Sequence, residues 1–217
     1  MVNGMPRPRV YGPDQVLDAA ESLVVASGPA AVTIRGISAA TGISNGALYH
    51  TFGSRMGLLA RAWLRAGHRL LDAQTTLVDQ ALAAPGTQSG VEAVVAAADA
   101  PAVFAEQYPN SAVLLLMARR DELLDPDLPN EIATEISDLE TMLVGLMIRL
   151  AVSMWDRKDA AAVDTITMCV VDLPTAILLS RDRLRSKTAR EQLSAAVKAV
   201  LDVGPPPPNL AKKETTP

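Results

Sequence analysis

The segment Thr33–Arg55, TIRGISAATGISNGALYHTFGSR, constrains the fold more than any other part of the chain. Thr33 and Ser44 stand where a hydroxyl accepts from the unpaired N–H groups of a new helix, and Gly42 and Gly53 stand where a helix stops. The pattern predicts two short helices, the second over Asn45–Thr51, joined through a tight glycine turn. Ala39, Ala40 and Gly42 allow close approach at the crossing. Ile37, Ile43 and Leu48 supply the apolar contacts that fix the angle. That is helix-turn-helix geometry, in which the second helix enters the major groove of DNA.

The second helix carries the chemistry for that task. Ser44 and Asn45 open it, where base edges are met and the helix dipole favours phosphate. An asparagine pairs with adenine N6 and N7. Gly46 lets a backbone approach closely. Tyr49, His50 and Thr51 offer donors to phosphate, and Arg55 follows as a phosphate clamp. Thr33 and Arg35 begin the first helix of the pair, placed to grip the flanking strand. As bare geometry the segment also fits a small helical hairpin of an all-α core, with Tyr49 a core aromatic and Asn45 a turn residue.

Composition narrows the function classes. Of 217 residues, 49% are apolar and 20% charged, which is globular composition with a core that needs no staples. One cysteine, Cys169, excludes an internal disulfide and a cysteine-rich zinc site, and two histidines, His50 and His68, disfavour a histidine metal cluster. No metal or cofactor is implied. No signal-peptide pattern and no run of 18 uncharged apolar residues stands out, so a cytoplasmic chain with no membrane partner is expected. Charge is uneven. Residues 1–69 hold seven Arg and three Asp/Glu, net +4, and residues 70–217 are net −8. A basic head on an acidic body suggests a polyanion partner for the head.

The remaining periodicities are helical. Residues 1–11 read as a flexible arm, with Arg7 and Arg9 as extra phosphate or minor-groove contacts. Gly12-Pro13-Asp14 starts a first helix that Ser27-Gly28-Pro29 stops. Ser54 caps a fourth helix that runs to near Ala84. Longer helices are expected near 88–107, 110–123, 127–156, 159–185 and 187–203, with Pro174 kinking the fourth of these. No strand alternation of useful length is present. Residues 205–217, opening on four prolines, read as a disordered tail.

In order and spacing, Thr33-Ile34-Arg35-Gly36-Ile37, Ala40-Thr41-Gly42-Ile43-Ser44, Gly46-Ala47-Leu48-Tyr49-His50-Thr51-Phe52 and Ser54-Arg55 before Leu58-Leu59 resemble the DNA-binding domain of the tetracycline-repressor (TetR) family. The resemblance covers residues 12–63, about a quarter of the chain. It implies an all-α homodimeric transcription factor, usually a repressor. Its domains would be a helix-turn-helix three-helix domain over 12–54 and a ligand-binding and dimerisation domain over 55–204. It places Ser44, Asn45, Tyr49, His50, Thr51 and Arg55 at DNA-contacting positions. One departure stands out. Many relatives carry an acidic residue after the Ser-Arg/Lys pair, where Met56 and Gly57 stand here, so helix four is expected to start weakly.

The expected domain over 55–204 offers Trp63 on helix four, with Phe104, Tyr108, Met117, Met142, Met147, Met154 and Trp155, as candidate lining for an apolar or aromatic effector, although methionines at helical spacing also fill cores. Ile166, Val170, Leu173, Ile177, Leu178, Leu193, Val197 and Val200 form stripes on the last two helices, suited to a four-helix dimer interface or to packing within one chain. The expected partners are a double-stranded DNA operator, a small-molecule effector and a second copy. A ligand-independent DNA-binding protein and a helical interaction module are the alternatives. An enzyme is disfavoured: no phosphate loop, nucleophile elbow or paired-carboxylate motif stands out.

Overall fold

The computed structural model describes residues 12–85, 88–118 and 128–208. The arm over 1–11, the end of the tail over 209–217 and the expected end of the 110–123 helix lie outside the described residues. Among the described residues the secondary structure is helical, without strands: α1 Pro13–Ser27, a 3-10 turn Pro29–Ala31, α2 Ile34–Thr41, α3 Asn45–Phe52, α4 Arg55–Ala83, α5 Ser89–Gln107, α6 Pro109–Met117, α7 Asn130–Trp155, α8 Ala160–Thr167 and α9 Lys187–Val203. The fold class is the all-α one expected.

The chain divides into two units, each discontinuous in sequence. The first takes residues 1–67 and 109–136, the second residues 68–108 and 137–217.

In the first unit, local chemistry sets every boundary of the head. Pro13 sits in the first turn of α1, where its missing N–H has no helical partner. The Thr33 hydroxyl accepts from Gly36 N–H at 3.0 Å and the Ser44 hydroxyl from Ala47 N–H at 3.3 Å. Gly42 ends α2 in the left-handed conformation at φ 75°, which a side chain would resist. Val16, Leu17, Ala20 and Val24 of α1 meet Ile34 and Ile37 of α2, Leu48 and Phe52 of α3, Leu58, Leu59, Ala62 and Ala66 of α4, and Leu114 of α6 in one core.

Helix α4 starts firmly, contrary to expectation. The Ser54 hydroxyl accepts from Gly57 N–H at 2.9 Å, so the cap forms without an acidic partner. Gly57 also answers a packing demand: a β-carbon there would run into the carbonyl oxygen of Phe52.

In the second unit, α5 presents Ala93, Ala97, Ala98, Ala100 and Ala102 to the interior, and α9 packs along it. Pro101 lies within α5 without ending it. It has no N–H for the Ala97 carbonyl one turn back, and the buried Gln74 amide of α4 donates to that carbonyl at 2.9 Å. The apolar spacing predicts one helix over 88–107, and the helix runs through Pro101 with this bond supplying the donor that the Ala97 carbonyl lacks.

The expected helix over 159–185 is shorter. After Thr167 it passes through wider turns at Met168–Asp172 and Thr175–Leu179, either side of Pro174, and then stops. Leu173 N–H donates to the Met168 carbonyl and Ser180 N–H to the Thr175 carbonyl, each five residues back. The proline leaves the Val170 carbonyl without its usual donor, and the wider turns absorb the fault. The stretch Ala160–Leu179 is long and apolar enough to span a membrane by length and composition alone. It carries Asp164 and Asp172, and it buries Ile166, Cys169, Val170 and Leu178 within its own unit.

Candidate nucleic-acid interface

Helix α3 buries two side chains, Leu48 and Phe52, one turn apart. Ser44, Asn45, Gly46, Ala47, Tyr49, His50 and Thr51 are exposed. Tyr49 keeps 55% of its surface in solvent, which removes the core-aromatic reading of the hairpin. Eight residues are too few for a stable helix in water, so tertiary packing through those two side chains holds α3. Most of its surface is left for something else.

The caps leave usable donors. The Thr33 and Ser44 hydroxyl oxygens accept from the backbone, so each O–H remains available to a phosphate at the positive end of its helix. Thr51 differs: its hydroxyl donates to the Ala47 carbonyl at 3.0 Å. A β-carbon on Gly46 would touch nothing within 4 Å, so nothing inside the molecule requires glycine there.

The cations divide into two kinds. Arg35 is exposed. Arg55 is held against the 3-10 turn: its Nε donates to the Val32 carbonyl at 2.6 Å and Nη2 to the Pro29 carbonyl at 2.8 Å. Its first task is therefore to brace the turn between α1 and α2 against the start of α4. Arg61 pairs with Glu135 at 3.5 Å. Arg65 is enclosed by Asp14, Asp18 and Glu21 of α1 at 3.3, 2.7 and 2.7 Å. Burial disfavours the Arg65 charge, but the bonds to Glu21 and Asp18 outweigh it and hold the guanidinium above its ordinary pKa. The basic head is thus partly neutralised from within. No Asp or Glu lies between Glu21 and Asp72, so the surface around α3 is spared acidic side chains from that stretch.

Residues 16–62 match the family described as bacterial regulatory proteins, tetR family. The N-terminal segment is a tetR-family domain. Solved structures agree over most of the chain at the level of fold. A TetR-family regulator, PfmR from Thermus thermophilus, aligns at 20% identity over 86% of this chain and 97% of that one, with a TM-score of 0.56. A tetR-family bacterial regulatory protein from Rhodococcus RHA1 aligns at 20% identity over 90% and 98%, with a TM-score of 0.60. A putative transcriptional regulator from Pseudomonas aeruginosa PAO1 aligns at 15% identity over 88% of each chain, with a TM-score of 0.62. No curated protein matches the sequence. In this tetR-family domain α2 and α3 are the two short helices of the helix-turn-helix pair.

The candidate effector residues do not share one environment. Trp63 packs against the core of the first unit with its indole N–H buried and unpartnered among the described residues. Met117, also in the first unit, is 46% exposed. In the second unit Phe104 and Met147 are buried, Tyr108, Met154 and Trp155 are half-buried, and Met142 is exposed. The Phe104 and Tyr108 rings lie 5.6 Å apart, and the Arg69 guanidinium sits 5.0 Å above Tyr108.

The dimer stripe divides similarly. Ile166, Val170, Leu178, Leu193 and Val197 are buried within their own unit, whereas Leu173, Ile177 and Val200 stay partly exposed. Beside them Met168 and Val203 face solvent and border a groove of about 500 Å³ lined also by Ala161, Ala199 and Pro206. Cys169 is buried, which pushes its thiol up to about 11 and makes it a poor nucleophile.

Sequence reading missed Glu21, Arg65 and Ser111. Glu21 is 4% exposed, and its two oxygens accept from Arg65 Nη2 at 2.7 Å and Ser111 Oγ at 2.8 Å. The spacing Asp14, Asp18, Glu21 along one face of α1 was the available signal; Ser111 left none.

Proposed function

We propose that the chain is a sequence-specific transcriptional regulator that represses by binding a near-palindromic operator as a homodimer and is released by a small apolar or aromatic ligand. One observation carries the reading: on a tetR-family domain, α3 commits only Leu48 and Phe52 to the core and turns its polar and small residues outward. Asn45 and Gly46 are the proposed base-reading positions. Thr33, Arg35, Ser44, Tyr49, His50 and Thr51 are proposed to hold phosphate or base edges, with Arg55 contributing the N–H groups its brace leaves over.

Residues 12–54 are proposed as the DNA-binding domain and 55–204 as the ligand-binding and dimerisation domain. Two recognition helices on one duplex face require half-sites about one helical turn apart. The buried, unpartnered indole N–H of Trp63 supports an effector that brings a hydrogen-bond acceptor beside its apolar surface. Hundredfold release needs about 2.7 kcal/mol of difference in ligand affinity between the two states. The partly uncovered faces of α8 and α9 support the dimer.

The test is selection. The purified full chain is incubated with sheared DNA of its source organism, and retained fragments are sequenced. Enrichment of a few near-palindromes is expected. A folded chain that enriches nothing at low salt refutes specific recognition by the ligand-free protein and leaves a ligand-dependent binder or the interaction module.

A further inference from the structure

Helix α7 buries Leu139, Leu146, Met147 and Leu150 along one side, and its opposite side is apolar as well. Thr141, Gly145, Ile148 and Val152 are exposed at intervals of four, three and four residues, with Met142 and Val144 exposed beside them. That spacing is the seam along which one helix packs on another; a helix that meets only water turns a polar face outward. The seam lies wholly in the second unit. Gly145 stands within it. A glycine weakens a helix interior, and a β-carbon here meets nothing within 4 Å, so nothing among the described residues requires it. A helix arriving from outside does: the gap over Gly145 lets it approach closely, and Ile148 one turn on supplies a side chain of the size that fills such a gap.

Charge selects the incoming helix. Residues 131–140 carry Glu131, Glu135, Asp138 and Glu140 without a base, whereas residues 149–158 carry Arg149, Arg157 and Lys158 with one acid, Asp156. Two copies of α7 laid antiparallel set the acidic start of each over the basic end of the other, and a parallel pair sets acid on acid. The helix dipoles favour the same orientation. A two-fold axis across the helix produces it from one patch on both copies.

We propose that a second copy of this chain docks antiparallel on the α7 seam, with Ile148 of each copy seated over Gly145 of the other and Thr141 against Val152. Both pairings fall level in one register, in which the two-fold axis crosses between Leu146 and Met147. The contact is separate from the α8–α9 faces proposed for the dimer and does not depend on the DNA-binding reading. A chain that uses both faces gathers four copies. The seam is only about three turns long and buries little surface, so the contact is weak and forms as concentration rises.

The test is the mass of the full chain by sedimentation equilibrium over a concentration series, in the wild type and in a Val203→Asp background. Ile148→Asp and Gly145→Gln are each expected to weaken association at least tenfold in both backgrounds. Gly145→Gln fills open space with a better helix former, so its thermal midpoint should not fall, and it decides the matter if Ile148→Asp folds poorly. Masses of Gly145→Gln equal to those of its parent at every concentration would overturn the proposal. If Val203→Asp changes nothing while the α7 variants still dissociate, the α8–α9 dimer fails and the α7 contact stands. Orientation is read by mixing copies that carry Asp138→Cys with copies that carry Ser153→Cys and joining them with a short thiol crosslinker; Cys169 is buried and stays out of the reaction. Products linking 138 to 153 should exceed those linking 138 to 138 at least fivefold, and the reverse would overturn the antiparallel pair.

Discussion

Gly46 separates folding from recognition at a single position. Its backbone is helical and a β-carbon there meets nothing, so Gly46→Ala should leave thermal stability unchanged or raise it by up to about 1 kcal/mol. Affinity for the selected site should nevertheless fall at least tenfold if, as proposed, the duplex approaches the backbone at Gly46. Unchanged site affinity would remove Gly46 from the interface. The arginines make a second comparison. Each phosphate neutralised contributes about 0.9 to the slope of log affinity against log salt. Arg35→Ala should therefore flatten that slope by about one per protomer, and Arg61→Ala, whose partner is Glu135, should not change it. Equal effects would show that the ion pair opens on DNA. The exposed residues of α3 were legible in the sequence because short polar side chains beside capping signals say both where a helix begins and that its face is not core. The fixing of Arg55 on Val32 and Pro29 was not legible: an arginine reads alike whether its guanidinium meets phosphate or backbone carbonyl.

Among the helices, α5 shows how a local fault is repaired from a distance. Gln74→Leu should orphan the Ala97 carbonyl and cost about 1–3 kcal/mol in a denaturant titration. Pro101→Ala restores the N–H that carbonyl lacks, so in that background the same substitution should cost clearly less. Equal costs in both backgrounds would detach Gln74 from the proline. The start of α8 gives a pH dependence. Asp159 caps Ala162 N–H and accepts two bonds from Arg157 at 2.8 Å, and the Arg157 bonds, above all, hold its carboxyl at about 2. A folded-state pKa below the ordinary carboxylate value means the contribution is present above about pH 4 and lost as pH falls through 2. Carboxyl-carbon NMR should place the Asp159 midpoint near 2 in the wild type and near the ordinary value in Arg157→Ala; an ordinary midpoint in both would refute the pairing. Capping and proline effects act within a few residues, which is why helix starts and the disturbance at Pro174 were readable, while the early stop at Leu179, which no local breaker marks, was not.

At the scale of the molecule, the dimer proposal turns on which apolar residues remain uncovered. Val203→Asp, at 87% exposure beside the α8–α9 groove, should leave the chain folded and halve its mass in solution. Leu178→Asp should unfold it, because that side chain is wholly buried within its own unit. A Val203→Asp chain of unchanged mass would move the interface elsewhere. An apolar stripe at helical spacing has one appearance in sequence whether its partner lies in the same chain or in another copy. The stripe over Ile166–Val200 therefore mixed core and surface.

By itself the sequence determined the helical class, the limits of the first four helices and the helix-turn-helix pair. Each depends on hydroxyl caps, left-handed glycines and apolar spacing that act within about one turn of their own residue. Tertiary structure alone decided that residues 109–136 join the head, that Glu21 is buried between Arg65 and Ser111, that Gln74 repairs Pro101 and that most of the expected dimer stripe is core. These depend on partners distant in the chain, and a buried polar group shows its cost only once the atom that satisfies it is in place.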